Sequence, residues 1–394
     1  MLLDHQPIGT VRVHERDLDH SAAGVSRHML VTALAGLGLW PAFHLAGLPL
    51  RLDFAGMASA YWMGTAVRAG FVAILLALIG LPADQTWKPL LRRYWSQKGR
   101  LIVFGVFATW MFFIFKFWLG LTIIADGLAV AEMLDRDPQR FGRRLLSIFV
   151  PALYLFIGIV IVFSFNHAIA GMKWAGAYDQ FFNSVDLAVF RTSVSGLAHA
   201  ALHLLPPWSY KVFEVAYYSL YGQIGATLIL LALLSGRAFS IRYVGALLLG
   251  YYIALLIFFL WPTIGPFAIC KIHTSDYPNW LPTFWTQESI LAKARLLWLH
   301  NPVPEAYRVD VADYYIGFPC MHIALPLISM WFLRKWRRIV TILAVFDVLL
   351  VASILLLEWH YIIDLFAGVL VAALAVAAEA HFRKTHEAVV TKSS

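Results

Sequence analysis

Nine runs of apolar residues, each close to the length of one membrane crossing, divide this chain of 394 residues. They lie at about 28–48, 60–82, 101–124, 145–165, 210–235, 242–262, 314–333, 339–357 and 360–382. A helix needs roughly 20 apolar residues to cross the hydrocarbon core of a bilayer. Inside lipid every backbone N–H and C=O must find its partner within the segment, and runs of this length do so as helices. The expected fold is therefore all-α, a polytopic transmembrane helical bundle of about nine spans. Composition agrees, with 60% hydrophobic and 14% charged residues, where soluble domains carry roughly a quarter charged. Soluble domains, disorder, collagen and a disulfide scaffold are excluded.

The formal net charge is +8, from 31 basic and 23 acidic residues. The basic residues cluster in short segments between apolar runs, so the charge reads as orientation and contact with anionic lipid, not as nucleic-acid binding. Arg140, Arg143 and Arg144, then Arg237 and Arg242, then Arg334, Lys335, Arg337 and Arg338, then Arg383 and Lys384 all fall on one side by strict alternation. That side is expected to be cytoplasmic, along with the C-terminus. The N-terminal third is inconsistent: basic residues flank 101–124 at both ends, and Lys116 sits inside it. Met1 to His20 is polar with both charge signs and no cleavable-signal pattern, so the first span is expected to act as the insertion signal. Two cysteines, Cys270 and Cys320, are too few for a thiol zinc site or a disulfide framework.

Two segments differ from the spans. Polar residues in 178–205 recur at three- and four-residue spacing, which predicts an amphipathic helix lying in the interface, with Asp179 and Asp186 near its start and His199 and His203 near its end. The stretch 263–313 is long for a connection and rich in proline and aromatic residues. It is expected to be an outer loop covering the last three spans. The resulting division is 1–144, a region of extra membrane helices; 145–382, a six-helix core; and 383–394, a cytoplasmic tail.

The chemistry gathers in two short motifs, both on the non-cytoplasmic side of this topology. Gly317-Phe318-Pro319-Cys320-Met321-His322 opens the seventh span, and His360-Tyr361-Ile362-Ile363-Asp364 opens the ninth. His360 and Asp364 are four residues apart and would share a helix face. A carboxylate there fixes the imidazole tautomer and leaves the other nitrogen as a nucleophile or base. The helix start adds free N–H groups that favour phosphate. His322 is a second imidazole, expected about two turns into its span, with Pro319 opening the helix before it. Two histidines and a carboxylate suit phosphoryl transfer, and the same three groups could hold a metal. The bland alternative is a His–Asp pair that only ties helices together. Asp347, Glu214 and Lys116 are read as buried structural partners of Lys or Tyr.

These motifs resemble those of the type-2 phosphatidic acid phosphatase superfamily, which run K-x6-R-P, P-S-x-H and S-R-x5-H-x3-D. Pro319 to His322 resembles the second motif, and Ser353, His360 and Asp364 keep the spacing of the third. The run Phe318 to His322, the run His360 to Gly368, the Trp261-Pro262 region and the segment Tyr178 to Leu187 are similar to the inositolphosphotransferase branch. That branch includes the inositol phosphorylceramide synthases of aureobasidin resistance. The likeness covers about 145–382. It implies a phosphatase-like core, His360 as a nucleophile forming phosphohistidine, Asp364 orienting it, and His322 as general acid and then base. It also implies a phospholipid or lipid-phosphate substrate and no cofactor or metal. Cys320, Ser353, Tyr361, Lys271 and Arg308 are candidate substrate-binding residues. Three departures stand out: Cys320 replaces serine, Ile354 replaces arginine, and no K-x6-R-P is present. His273, Lys293, Arg295, Lys211 and Arg191 are further candidates for the missing cation. The function implied is transfer of a phospho-alcohol head group to a lipid hydroxyl. Lipid phosphate phosphatase (phosphatidic acid or polyprenyl phosphate type), metal-dependent hydrolase, and lipid transporter or scramblase are the alternatives.

Overall fold

A computed structural model describes residues 138–269, 282–299 and 316–393. The expected spans 28–48, 60–82 and 101–124, together with Lys116, lie outside the described residues. Nine α-helices follow in order: α1 Pro138–Met172, α2 Asp179–Phe190, α3 Val194–Leu204, α4 Pro207–Leu234, α5 Arg237–Leu260, α6 Pro282–Leu299, α7 Met321–Leu333, α8 Arg337–Leu356 and α9 Ile362–Ser393. A single 3₁₀ turn, Pro266–Ala268, follows α5. The described residues contain no strand. Among the described residues five helices are long and apolar enough to cross a membrane: α1, α4, α5, α8 and α9. The helix α7 has only 13 residues, because 316–320 is a non-helical turn with a cis Phe318–Pro319 peptide.

The helix α5 lies at the centre, packed against α1, α4, α7 and α9. Its residues Tyr243, Val244, Ala246, Leu247, Leu248 and Phe258 are wholly buried. Tyr243 makes a polar crossing within this core, its hydroxyl lying 2.8 Å from Ser329 Oγ on α7 and donating to the Ile224 carbonyl on α4. Buried hydroxyls need such partners, since an unmade hydrogen bond in the interior costs more than a made one returns.

Two corrections concern the segments beside the spans. The expected single helix over 178–205 is two helices, broken at Arg191, whose φ is 60°. Ser193 then caps α3 by accepting from the Gly196 N–H at 3.0 Å. Moreover α2 is amphipathic in the inverted sense. Asp179, Phe182 and Asp186 face inward, while Phe181, Leu187 and Val189 are exposed. An outward apolar face suits lipid and an inward polar face suits helix ends that need capping. The expected outer loop 263–313 likewise contains a helix, α6. Its Thr283 gives both N–H and hydroxyl to Glu214 on α4, and its Gln287 donates to the Leu357 carbonyl at 2.6 Å. Glu214 also pairs with Lys211, as a buried structural partner of lysine should. Asp347 faces the amide of Gln223, not a Lys or Tyr.

The ends of α5, α7, α8 and α9 that meet near residues 263–265, 320, 357 and 362 share one end of the bundle. The basic turns at Arg237 and at Arg334 to Arg338 therefore lie at the other end, where Arg242 grips Glu379 through two hydrogen bonds, at 2.5 and 3.1 Å. Glu379 is 4% exposed and Arg242 30%. Arg242→Ala strands the buried carboxylate and should cost on the order of 3 kcal/mol. Replacing both residues with leucine should recover most of that loss, read as melting temperature in detergent. If the double variant melts as low as the single one, the pair is not the cause.

Candidate functional site

His360 does not sit on the ninth helix. It precedes α9, in a turn where the backbone N–H groups of Trp359 and His360 both donate to the Ile354 carbonyl, at 2.8 and 3.3 Å. The i, i+4 spacing to Asp364 therefore produces contact by a different route from a shared helix face. Asp364 lies in the first turn of α9 and its Oδ2 accepts from the Tyr361 N–H at 2.9 Å, a reach back to the cap residue. That places the same oxygen 3.3 Å from His360 Nδ1. The Gly317 carbonyl lies 2.8 Å from the same nitrogen. Two acceptors facing one nitrogen put a ring proton on Nδ1. His360 is 3% exposed and Asp364 is fully buried.

His322 Nδ1 lies 3.2 Å from His360 Nε2, so the two rings share a hydrogen bond whose direction follows their protonation. His322 is in the first turn of α7, not two turns deep, because the Gly317–Cys320 turn comes before the helix. The Cys320 N–H that follows Pro319 goes to the Asp364 carbonyl at 3.2 Å. Tyr217 on α4 stacks on the His322 ring and on the Trp359 ring, each at 4.6 Å. This holds both motifs against a third helix. The Cys320 sulfur and ligand nitrogens of His322 and His360 all lie within 4.8 Å of one another. That set departs from the two-His, one-carboxylate arrangement weighed from the sequence, because the carboxylate of Asp364 stands behind His360.

Two aspartates missed as site-builders fasten the motifs together. Asp186 accepts from the N–H groups of Ile362 and Ile363 at 2.8 and 3.0 Å. The first free donors of α9, expected to attract phosphate, are therefore already taken by a carboxylate. Asp179 accepts from Ile264 and Gly265 N–H at 3.1 and 2.8 Å and from the Tyr361 hydroxyl at 2.9 Å. The available signal was the seven-residue spacing of Asp179 and Asp186, two turns on one helix face. Two glycines complete the geometry. A Cβ on Gly317 would collide with the Thr263 backbone, and one on Gly368 would collide with the Cys320 carbonyl. This gives the last residue of the His360-to-Gly368 motif a physical reason.

The substrate-binding candidates separate. Cys320 is in the cluster. Tyr361 is wholly buried and its hydroxyl is committed to Asp179. Ser353 is buried and donates to the Leu350 carbonyl at 2.7 Å within its own helix. Lys271, His273 and Arg308 lie outside the described residues. Lys211 is held by Glu214, and Arg191 and Arg295 are exposed. Ile354, in the position of the phosphatases' arginine, is fully buried, and its carbonyl shapes the His360 turn. His199 and His203 are exposed on α3, as expected of interfacial residues.

A family model described as the PAP2 superfamily matches residues 192–378. The match takes in both histidine motifs and supports that superfamily, with its membrane-type phosphatase and phosphotransferase fold. No curated protein and no solved structure matches the chain.

Burial pushes the Asp179 carboxyl up from 3.8 to about 7, against the pull of its three donors. The folded chain thus holds this proton more tightly than the unfolded chain does. The resulting stability is full below 3.8 and is lost as pH rises through about 7. Relative to Asp179→Asn, the wild-type melting temperature should fall across that window; parallel curves would contradict the assignment. Asp186→Ala should release two donors at a cost of about 1–3 kcal/mol and speed hydrogen exchange at Ile362 and Ile363.

Proposed function

We propose that the chain transfers a phospho-alcohol head group from a phospholipid to a lipid hydroxyl through a phosphohistidine on His360. The observation that carries this reading is the aligned relay of His322 Nδ1, His360 Nε2, His360 Nδ1 and the Asp364 carboxylate, with separations of 3.2 and 3.3 Å. Each group has one chemical task. The Nε2 lone pair attacks phosphorus, and the bond to the glycerol oxygen breaks. His322, protonated on both nitrogens by the field of the bound phosphate, gives its Nδ1 proton to that oxygen. The phosphorylated His360 ring retains its Nδ1 proton and carries positive charge, which Asp364 balances. The acceptor hydroxyl then loses its proton to His322 as its oxygen attacks phosphorus. The N–P bond breaks and both rings return to their starting state.

Transfer is preferred to hydrolysis on two grounds. His360 is 3% exposed and Asp364 is fully buried, which limits water at the nitrogen that would carry phosphorus. Ile354 also stands where the phosphatases carry an arginine. The basic turns at the end of the bundle away from His360 support an active site on the non-cytoplasmic face and a cytoplasmic C-terminus.

The test is turnover of a head-group-labelled phospholipid by purified protein, with and without diacylglycerol or ceramide. His360→Ala should reduce product to background, and His322→Ala should lower kcat by about two to four orders of magnitude. Product that appears only with the acceptor means transfer, and released head-group phosphate means hydrolysis. Lipid flux across vesicles without either product would instead indicate transport.

A further inference from the structure

Cys320 takes no part in this mechanism, yet it is buried against both of the histidines that do. We propose that Cys320, His322 and His360 form a zinc site, and that zinc held there switches the enzyme off. Two cysteines are too few for an all-thiolate site, but one thiolate and two imidazoles supply three of the four positions zinc prefers. Ligands of a tetrahedral zinc stand roughly 3.5 Å apart. The three ligand atoms here lie within 4.8 Å, and His322 Nδ1 and His360 Nε2 are 3.2 Å apart. Small side-chain shifts would therefore centre an ion.

Two further observations point to a metal. His360 Nδ1 is already backed by a carboxylate and a carbonyl, the arrangement that orients a zinc-bound imidazole and strengthens its donation. His322 Nε2 is buried and makes no hydrogen bond. Binding frees His322 Nδ1 by moving its proton to that nitrogen, and the Cys320 thiol loses its proton to solvent. One proton is released per ion. The sulfur is also the selective element, since soft thiolate favours zinc over the hard cations that a serine would meet.

Inhibition follows from electron-pair accounting and rests on the proposed function: zinc occupies the Nε2 lone pair that must attack phosphorus. The binding claim does not rest on it. The full chain, metal-free in detergent, is titrated with Cd²⁺, whose bond to a thiolate gives an ultraviolet charge-transfer band. One equivalent of band with release of one proton is expected in the wild type and in Cys270→Ser. The band should vanish in Cys320→Ser and need at least tenfold more Cd²⁺ in His322→Gln. No band in the wild type, or an unchanged band in Cys320→Ser, overturns the site. In the turnover assay Zn²⁺ should inhibit the wild type, and Cys320→Ser, scaled to its own metal-free rate, should require at least tenfold more. A Cys320-dependent band without inhibition overturns the switch. Absence of turnover in the metal-free wild type counts against the phosphotransfer reading, while the band still decides the site.

Discussion

The placement of a single proton, on Nδ1 of His360, organises the rest of the site. It is fixed by the Gly317 carbonyl at 2.8 Å and the Asp364 carboxylate at 3.3 Å. The carbonyl is in reach only because Gly317 packs flush against Thr263, where a side chain would collide. Thr263 is in turn followed by Ile264 and Gly265, both of which donate to Asp179. Asp179 also takes the hydroxyl of Tyr361, the residue after His360. The contacts close on themselves, so four distant stretches of chain share one geometry. A disturbance at any of these points moves the imidazole, because no element in the circuit is held by only one neighbour.

The same circuit explains why carboxylates, and not phosphate, occupy the helix start. Asp186 and Asp364 take the N–H groups of Ile362, Ile363 and Tyr361. Negative charge at a helix N-terminus is favourable whatever its source. The protein has used this favourable field to dock α2 against α9. In the proposed reaction the substrate phosphate would take its cation from elsewhere than this helix start.

The sequence was most readable where short motifs and the alternation of spans decide proximity. His322, His360, Asp364 and Cys320 meet as expected, although the reasons differ. Helix rise put His322 two turns deep because the apolar run was counted from 314, whereas Gly317 to Cys320 form a turn and α7 starts at Met321. Apolarity measures what lipid tolerates, and it does not mark where a helix begins. The polar stripe of α2 was visible, but its direction was not. Polar residues at helical spacing fit water outside or unsatisfied helix ends inside, and only the neighbours distinguish the two. Tyr361 and Ser353 were misleading in the same way, since a hydroxyl near a motif says nothing of the acceptor it has already found.

The resting site also carries a constraint on catalysis. His322 and His360 are hydrogen-bonded to each other at 3.2 Å, so each ring covers the other's facing nitrogen. In the proposed transfer phosphorus comes between the two rings, and His322 turns from the His360 nitrogen toward the leaving oxygen. Tyr217, stacked on the His322 ring, limits that movement to sliding in the ring plane. In the proposed transfer the phosphate anion brings the charge that stabilises His322 in its doubly protonated form, so substrate binding itself supplies the acid.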